Sequence, residues 1–228
     1  MGKGAVMSQT RTRQRTSRGG LSPEKYLTEE QQKLLLGYVK GQADIARHRN
    51  TFRAIVDEMI VTLFLNTGLR AEELCSLKLR DLPVTHGKNV VFVRVGKRKV
   101  SRTIEISERF SKKLGRFITA ELARRKKIKG LKAKDYLFIN ERGTPLQYVS
   151  VYSKIKRIGR RAGVGHLHPH VLRHTYLTRL YNVAHDLRFV QDQAGHASPV
   201  TTAIYAQTDQ EERRKQIEAL DKINLLAE

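Results

Sequence analysis

Between Phe52 and Gly68 the chain reads FRAIVDEMIVTLFLNTG, and this stretch limits the fold more than any other. Phe52, Ile55, Val56, Met59, Ile60, Leu63 and Phe64 recur at alternating steps of three and one, which places them on one face of a helix. That face is a core face, and other elements must pack on it. Asn66-Thr67-Gly68 breaks the run, and a short third helix restarts near Arg70 with Leu74, Leu77 and Leu79 in its pattern. Upstream, Thr28 followed by Gln31 forms a capping box that predicts a first helix running through about Arg49.

From Asn89 the period changes. NVVFVRV and, after a turn, RTIEI are β-branched and bounded by polar residues, so they predict two short strands. Gly96-Lys97-Arg98-Lys99 is the basic tip between them. Helical spacing returns in Phe110, Leu114, Phe117, Ile118 and Leu122, then dissolves into RRKKIKGLKAK at 124–134. DYLFIN at 135–140 reads as strand-like, and helices account for most of the remainder. The expected class is mainly α with a small antiparallel β-sheet (α+β), without internal repeats.

Lysine and arginine outnumber acids 44 to 22 in 228 residues, a formal charge of +22. Such an excess concerns partners and solubility rather than fold. Nucleic acid is the leading partner, and a basic membrane-surface or ribosome-like protein is the alternative until the charge has a pattern. The basic stretches fall at 94–102, 124–134 and 154–161, and they form one phosphate-binding face only if the fold brings them together. No apolar run approaches the length of a membrane span, and the first twenty residues lack the apolar middle of a secretion signal. No membrane association is expected, and a cytoplasmic, nucleoid-associated location is. Residues 1–22 read as a flexible basic arm, with Lys3, Arg11, Arg13, Arg15 and Arg18 and no acid in the first twenty; a DNA-binding role and a passive remnant are both open. Cys75 lies in a leucine-rich helical pattern and reads as a small core residue.

Four histidines fall in HLHPHVLRHTYLTRL, from His166 to Leu180. His170 and His174 have the four-residue spacing of a zinc pair on a helix, but Arg173 lies between them and the stretch has no cysteine or carboxylate, so a metal is not expected. Pro169 fits a helix start, and His174 reads as a hydrogen-bonded core histidine; His166 and His168 are unassigned. His170 and Arg173, three apart near a helix N-terminus, could hold an anion and move a proton. Arg70 directly follows Asn-Thr-Gly-Leu, Lys97 sits at the hairpin tip, and His196 follows Gly195. Ser198-Pro199 predicts a further helix start, and Tyr205 falls within that helix.

Taken in order, TGLRAEEL, a VGK hairpin, HVLRH, AGH and TTAIY resemble the catalytic domain of tyrosine recombinases, the phage integrase family, over about residues 25 to 210. The resemblance implies the tyrosine recombinase catalytic-domain fold and a catalytic set of Arg70, Lys97, His170, Arg173, His196 and Tyr205, with Glu73 in a supporting position. Lys99 rivals Lys97, since a two-residue slip in the hairpin exchanges them. Tyr176 and Tyr181 share the HVLRH helix and read as packing residues. The implied activity is site-specific DNA strand cleavage and rejoining through a 3′-phosphotyrosine, without metal, nucleotide or other cofactor. Relaxation of supercoils in the manner of type IB topoisomerases and a catalytically silent DNA-binding accessory role are the rival functions.

Implied partners are double-stranded DNA, a homo-tetramer on paired sites and DNA-bending accessory proteins. The expected organisation is a basic arm at 1–22, a catalytic domain at 23–210 and a C-terminal helix at 211–228 with Ile217, Leu220 and Ile223 on one side; packing on its own domain and, as the resemblance implies, exchange between protomers are both open. The N-terminal core-binding domain usual in the family is expected to be absent.

Overall fold

The computed structural model describes residues 25–95, 99–126 and 135–195. The basic arm, the hairpin tip with Lys97, and everything from His196 onward, including Tyr205 and the C-terminal helix, lie outside the described residues.

Helix α1 spans Glu29–His48 and opens as predicted: the Thr28 side chain accepts from the Gln31 N–H, and the Gln31 side chain accepts from the Thr28 N–H. Helix α2, Arg53–Thr67, is capped by Gly68 in the left-handed region at φ 59°. The spacing predicts one buried face, but α2 is buried all round from Met59 to Leu65. It is the central helix, and α1, α4 (Glu108–Arg125) and α6 (Pro169–Ala184) pack on it. The Glu58 carboxylate, almost fully buried on α2, accepts from Arg47 of α1 at 2.7 Å and Lys113 of α4 at 2.6 Å. A buried charge is tolerable only when paired in this way.

Helix α3 is shorter than its leucine pattern implies. It covers Ala71–Ser76, and Leu77 is already extended. Leu77 and Leu79 are instead held by residues 135–137: Leu79 N–H donates to Asp135 O and Leu137 N–H to Leu77 O, both at 2.8 Å. DYLFIN is therefore not a strand of the sheet. It forms two isolated antiparallel bridges, Lys78 with Tyr136 and Ile139 with Pro145. Its continuous apolar run, Leu137, Phe138 and Ile139, is buried.

The two predicted strands are present as β1, Val90–Val95, and β2, Lys99–Glu105, paired antiparallel with an irregularity between Val93 and Arg94. Val91 and Val93 of β1 face the core with Ile104 of β2. Helix α5, Tyr148–Arg161, packs on α1, α3 and α6, and α7, Leu187–Ala194, packs on α6 and β2. The result is a mainly helical α+β domain with, among the described residues, one two-stranded sheet.

Candidate active site

The turn after α2 builds one side of the site. Gly68 is needed at φ 59°, and a Cβ there would stand 2.5 Å from the Tyr176 ring of α6. This close approach reverses the chain, buries Leu69 and delivers Arg70 as the residue that opens α3. The Glu73 carboxylate accepts from the Arg70 N–H at 2.7 Å and from its guanidinium at 3.0 Å. Arg70 and Glu73 are thus paired, and the Arg70 side chain remains substantially exposed.

Arg173, on the second turn of α6, faces inward and is only 4% exposed. Its guanidinium donates to Gly68 O and, at 2.9 Å, to Ala194 O. Arg70 donates to the next carbonyl, Gly195 O, at 3.3 Å, and Arg102 of β2 donates through Nε to Gln193 O at 3.0 Å. Three consecutive carbonyls at the end of α7 therefore each accept from an arginine on a different element. The last carbonyls of a helix lack intrahelical donors and carry its negative pole, so cations are favoured there. Gly195 ends α7 in the left-handed region at φ 64°, and the chain proceeds from it directly into His196.

Glu73 anchors the same cluster. Both of its oxygens accept from the Arg102 guanidinium at 2.8 Å, in a two-pronged pair. Burial alone would push the Glu73 carboxyl up, but the Arg102 and Arg70 guanidiniums and the Arg70 N–H outweigh it and hold the pKa at about 2.

His170 has a different setting. It is exposed on the first turn of α6, edge-on to His168 with ring centroids 6.1 Å apart, and His168 in turn stacks on Tyr152 of α5 at 6.3 Å. His168 immediately precedes Pro169, the first residue of α6, and burial with the charges of His170, His166 and Lys156 lowers its pKa. His174 is half-buried; burial and the Arg173 guanidinium bring it down to about 4, so it is neutral near pH 7, as a packing histidine should be. Tyr176 is likewise a packing residue: burial raises its hydroxyl to about 12, and it closes over Gly68. Tyr181 packs with Tyr26 and Leu180 around Leu177 and Val190.

Among the described residues no three His, Cys, Asp or Glu side chains converge where they could hold a metal ion. The fold brings Arg70 and Arg173 together on adjacent carbonyls and sets His170 at the open start of the helix that carries Arg173. Lys97, His196 and Tyr205 lie outside the described residues.

A family model described as the phage integrase family matches residues 25–212. The chain belongs to the phage integrase family. The tyrosine recombinase XerC of Staphylococcus epidermidis is 34% identical over 165 residues, 72% of this chain and 53% of that protein. The crystal structure of XerA recombinase superimposes with a TM-score of 0.67 at 29% identity, over 85% of this chain and 64% of that one. XerH site-specific recombinase bound to its difH substrate, in a pre-cleavage complex, superimposes with a TM-score of 0.65 at 26% identity, over 83% of this chain and 52% of that one. The chain thus spans between half and two thirds of the length of these relatives.

In this integrase-family domain the residue that motif reading passed over is Arg102. A signal was available: in RTIEI, Arg102 has the same parity as Ile104 and Ile106, both buried, so it points to the core side of β2. A charge in a core-facing register requires a buried partner, and Glu73 is that partner. Among the described residues the basic stretches converge only in part. A cleft of about 650 Å³ gathers Arg124, Lys154 and Arg157 with Arg53 and Arg142 around apolar Phe52 and Leu146. Asp57 neutralises part of that charge by pairing with Lys154 and Arg157. Arg94 and Arg102 are committed elsewhere, to Asp81 and Glu73. Among the described residues no helix is long and apolar enough to cross a membrane.

Proposed function

We propose that this chain carries out site-specific DNA strand exchange, cleaving and rejoining double-stranded DNA through a covalent bond to Tyr205. A phosphodiester is anionic and resists nucleophiles, so the first requirement is cations placed where charge builds in the transition state. Arg70 and Arg173 fill that role, on the non-bridging oxygens. The Tyr205 hydroxyl attacks phosphorus, its proton passes to His170, and the new bond joins Tyr205 to the 3′ phosphate. The bond from phosphorus to the 5′ oxygen breaks, and the Lys97 ammonium protonates that oxygen as it leaves. His196 donates a hydrogen bond to the phosphate. Attack by the 5′ hydroxyl of a second strand reverses these steps, so the backbone energy is conserved and no cofactor is consumed.

The observation that carries this reading is the grip of Arg70 and Arg173 on Gly195 O and Ala194 O. Two cations from elements a hundred residues apart stand at the turn that leads into His196 and onward to Tyr205. The match to the phage integrase family over residues 25–212 supports the same roles, and the XerH complex supports a DNA substrate. We assign the active unit to a tetramer on paired DNA sites, working in the cytoplasm on the nucleoid with DNA-bending partners.

The test is a nicked duplex carrying the chain's own site, which loses a short fragment on cleavage and traps the intermediate. The wild-type chain is expected to form a covalent protein–DNA complex stable to denaturant, and Tyr205→Phe to form none. A complex that persists in Tyr205→Phe, or a wild type that forms none on its proper site, overturns the mechanism.

A further inference from the structure

We infer that Arg102 is a positioning residue for Arg70, acting through the Glu73 carboxylate to fix the orientation in which the Arg70 guanidinium meets the scissile phosphate. The inference rests on the catalytic reading above, since it concerns the same phosphate, but its structural basis is separate. Each Glu73 oxygen accepts two hydrogen bonds. Oε1 receives Arg102 Nη1 at 2.8 Å and Arg70 Nη1 at 3.0 Å; Oε2 receives Arg102 Nη2 at 2.8 Å and the Arg70 N–H at 2.7 Å.

A carboxylate alone can rotate about its last bond, and an arginine paired with it would follow. The two-pronged Arg102 pair removes that rotation, because a planar guanidinium bonded to both oxygens fixes the carboxylate plane. The carboxylate plane then dictates where Arg70 Nη1 can lie. Arg102 itself cannot drift, since its Nε is held by Gln193 O at 3.0 Å and its side chain is only 9% exposed. It is also packed against the end of α7: a Cβ at Gly195 would stand 2.8 Å from Arg102 Cδ. One side chain therefore sets both the angle of Arg70 and the position of the carbonyl ladder that Arg70 and Arg173 share. The same guanidinium thus ties the Glu73 carboxylate to the end of α7.

Lysine separates these roles. Arg102→Lys keeps the charge and much of the length, so it can neutralise Glu73, yet a single ammonium cannot bond both oxygens in one plane and reach Gln193 O as well. The experiment compares wild type, Arg102→Lys, Glu73→Gln and the double variant on nicked DNA, reading DNA affinity and the single-turnover cleavage rate at saturating DNA separately. Arg102→Lys is expected to fold and bind DNA within about threefold of wild type while cleaving about 30- to 100-fold more slowly, the scale on which small misplacements of a reacting group act. The double variant is expected to be no slower than the slower single one, because both changes break the same linkage. A folded Arg102→Lys that cleaves at the wild-type rate overturns the inference, as do effects of the two substitutions that multiply.

A second measurement does not depend on cleavage. In wild type, NMR of the arginine side chains should find slow rotation of the Arg70 guanidinium, and in Arg102→Lys fast rotation. Unchanged Arg70 rotation also overturns the inference. A wild type inert on DNA whose Arg70 is freed by Arg102→Lys would strike the catalytic reading and leave the positioning role standing.

Discussion

His174 and Glu73 each have a pKa below the ordinary value, Glu73 because arginine charge outweighs burial and His174 because burial and neighbouring charge act together. For His174 the cause is burial, followed by the charges of Arg173, His170, Lys25 and His168. A histidine whose folded pKa lies near 4 takes up its proton more readily once the chain unfolds, where the value returns to about 6.5. Its contribution to stability is whole above pH 6.5 and declines as the pH falls toward 4. The ring is half-buried and solvent screens part of the effect, so the loss should be about 1 to 2 kcal/mol. For a chain of this size that lowers the unfolding temperature by about 5 °C. Thermal unfolding at steps from pH 7 to pH 4 should record that decline in wild type and a shallower one in His174→Gln. Parallel curves for the two proteins would assign the acid sensitivity to another group. Glu73 enters only at the acid end of this range, because a carboxylate held at about 2 contributes fully above its ordinary 4.5 and begins to lose its effect below that, equally in wild type and His174→Gln.

At the scale of elements, the HVLRH helix depends on one close approach. Gly159, on the last turn of α5, lies against the loop that leads into α6, and a Cβ there would stand 2.4 Å from Leu167 Cβ and 2.6 Å from Val164 O. The second neighbour is backbone and cannot swing aside. Gly159→Ala should therefore cost about 3 kcal/mol, at the upper end of what overpacking does, and shift the start of α6 with His168 and His170. Gly37→Ala is the matched control: it lies in the exposed middle of α1 with nothing within 4 Å of the added carbon, so it should stabilise by about 0.5 to 1 kcal/mol. Denaturant titration of both variants checks the pair, and equal stability of Gly159→Ala and wild type would remove the packing argument.

These contrasts explain what could be read from the residues. The capping box at Thr28, the glycine that ends α2 and the proline that starts α6 are local devices, and each stands where its chemistry predicts. DYLFIN misled because a short continuous apolar run, here Leu137 to Ile139, fits any extended segment buried on both sides, whether or not a neighbouring strand continues the ladder. The site divided in the same way. Arg70 and Arg173 were legible from motif order, but not that Arg173 would face inward onto Gly68 O and Ala194 O, nor that Arg102 would join them. Those contacts are made between elements far apart in sequence, and no local pattern encodes them.

For the molecule as a whole, the excess of 22 positive charges acts through how many cations are left to face phosphate. Several are already committed: Arg94 to Asp81, Arg102 to Glu73, Lys113 and Arg47 to Glu58, and Lys154 and Arg157 to Asp57. These pairs fix elements to one another and release fewer counterions on binding DNA. Residues 1–20 hold five cations and no acid. Affinity for duplex DNA falls with salt by about 0.9 logarithmic units for each phosphate neutralised, so six or so contacts give a slope of roughly −5. Removing residues 1–20 should reduce the magnitude of that slope by about 2 to 4 units and weaken binding most at low salt, where counterion release is strongest. The measurement is equilibrium binding to a duplex from 50 to 200 mM salt, the range over which such contacts change affinity about a thousandfold or more. A truncated chain with unchanged affinity and unchanged slope would deny the arm any part in DNA binding and leave that work to cations within residues 21–228.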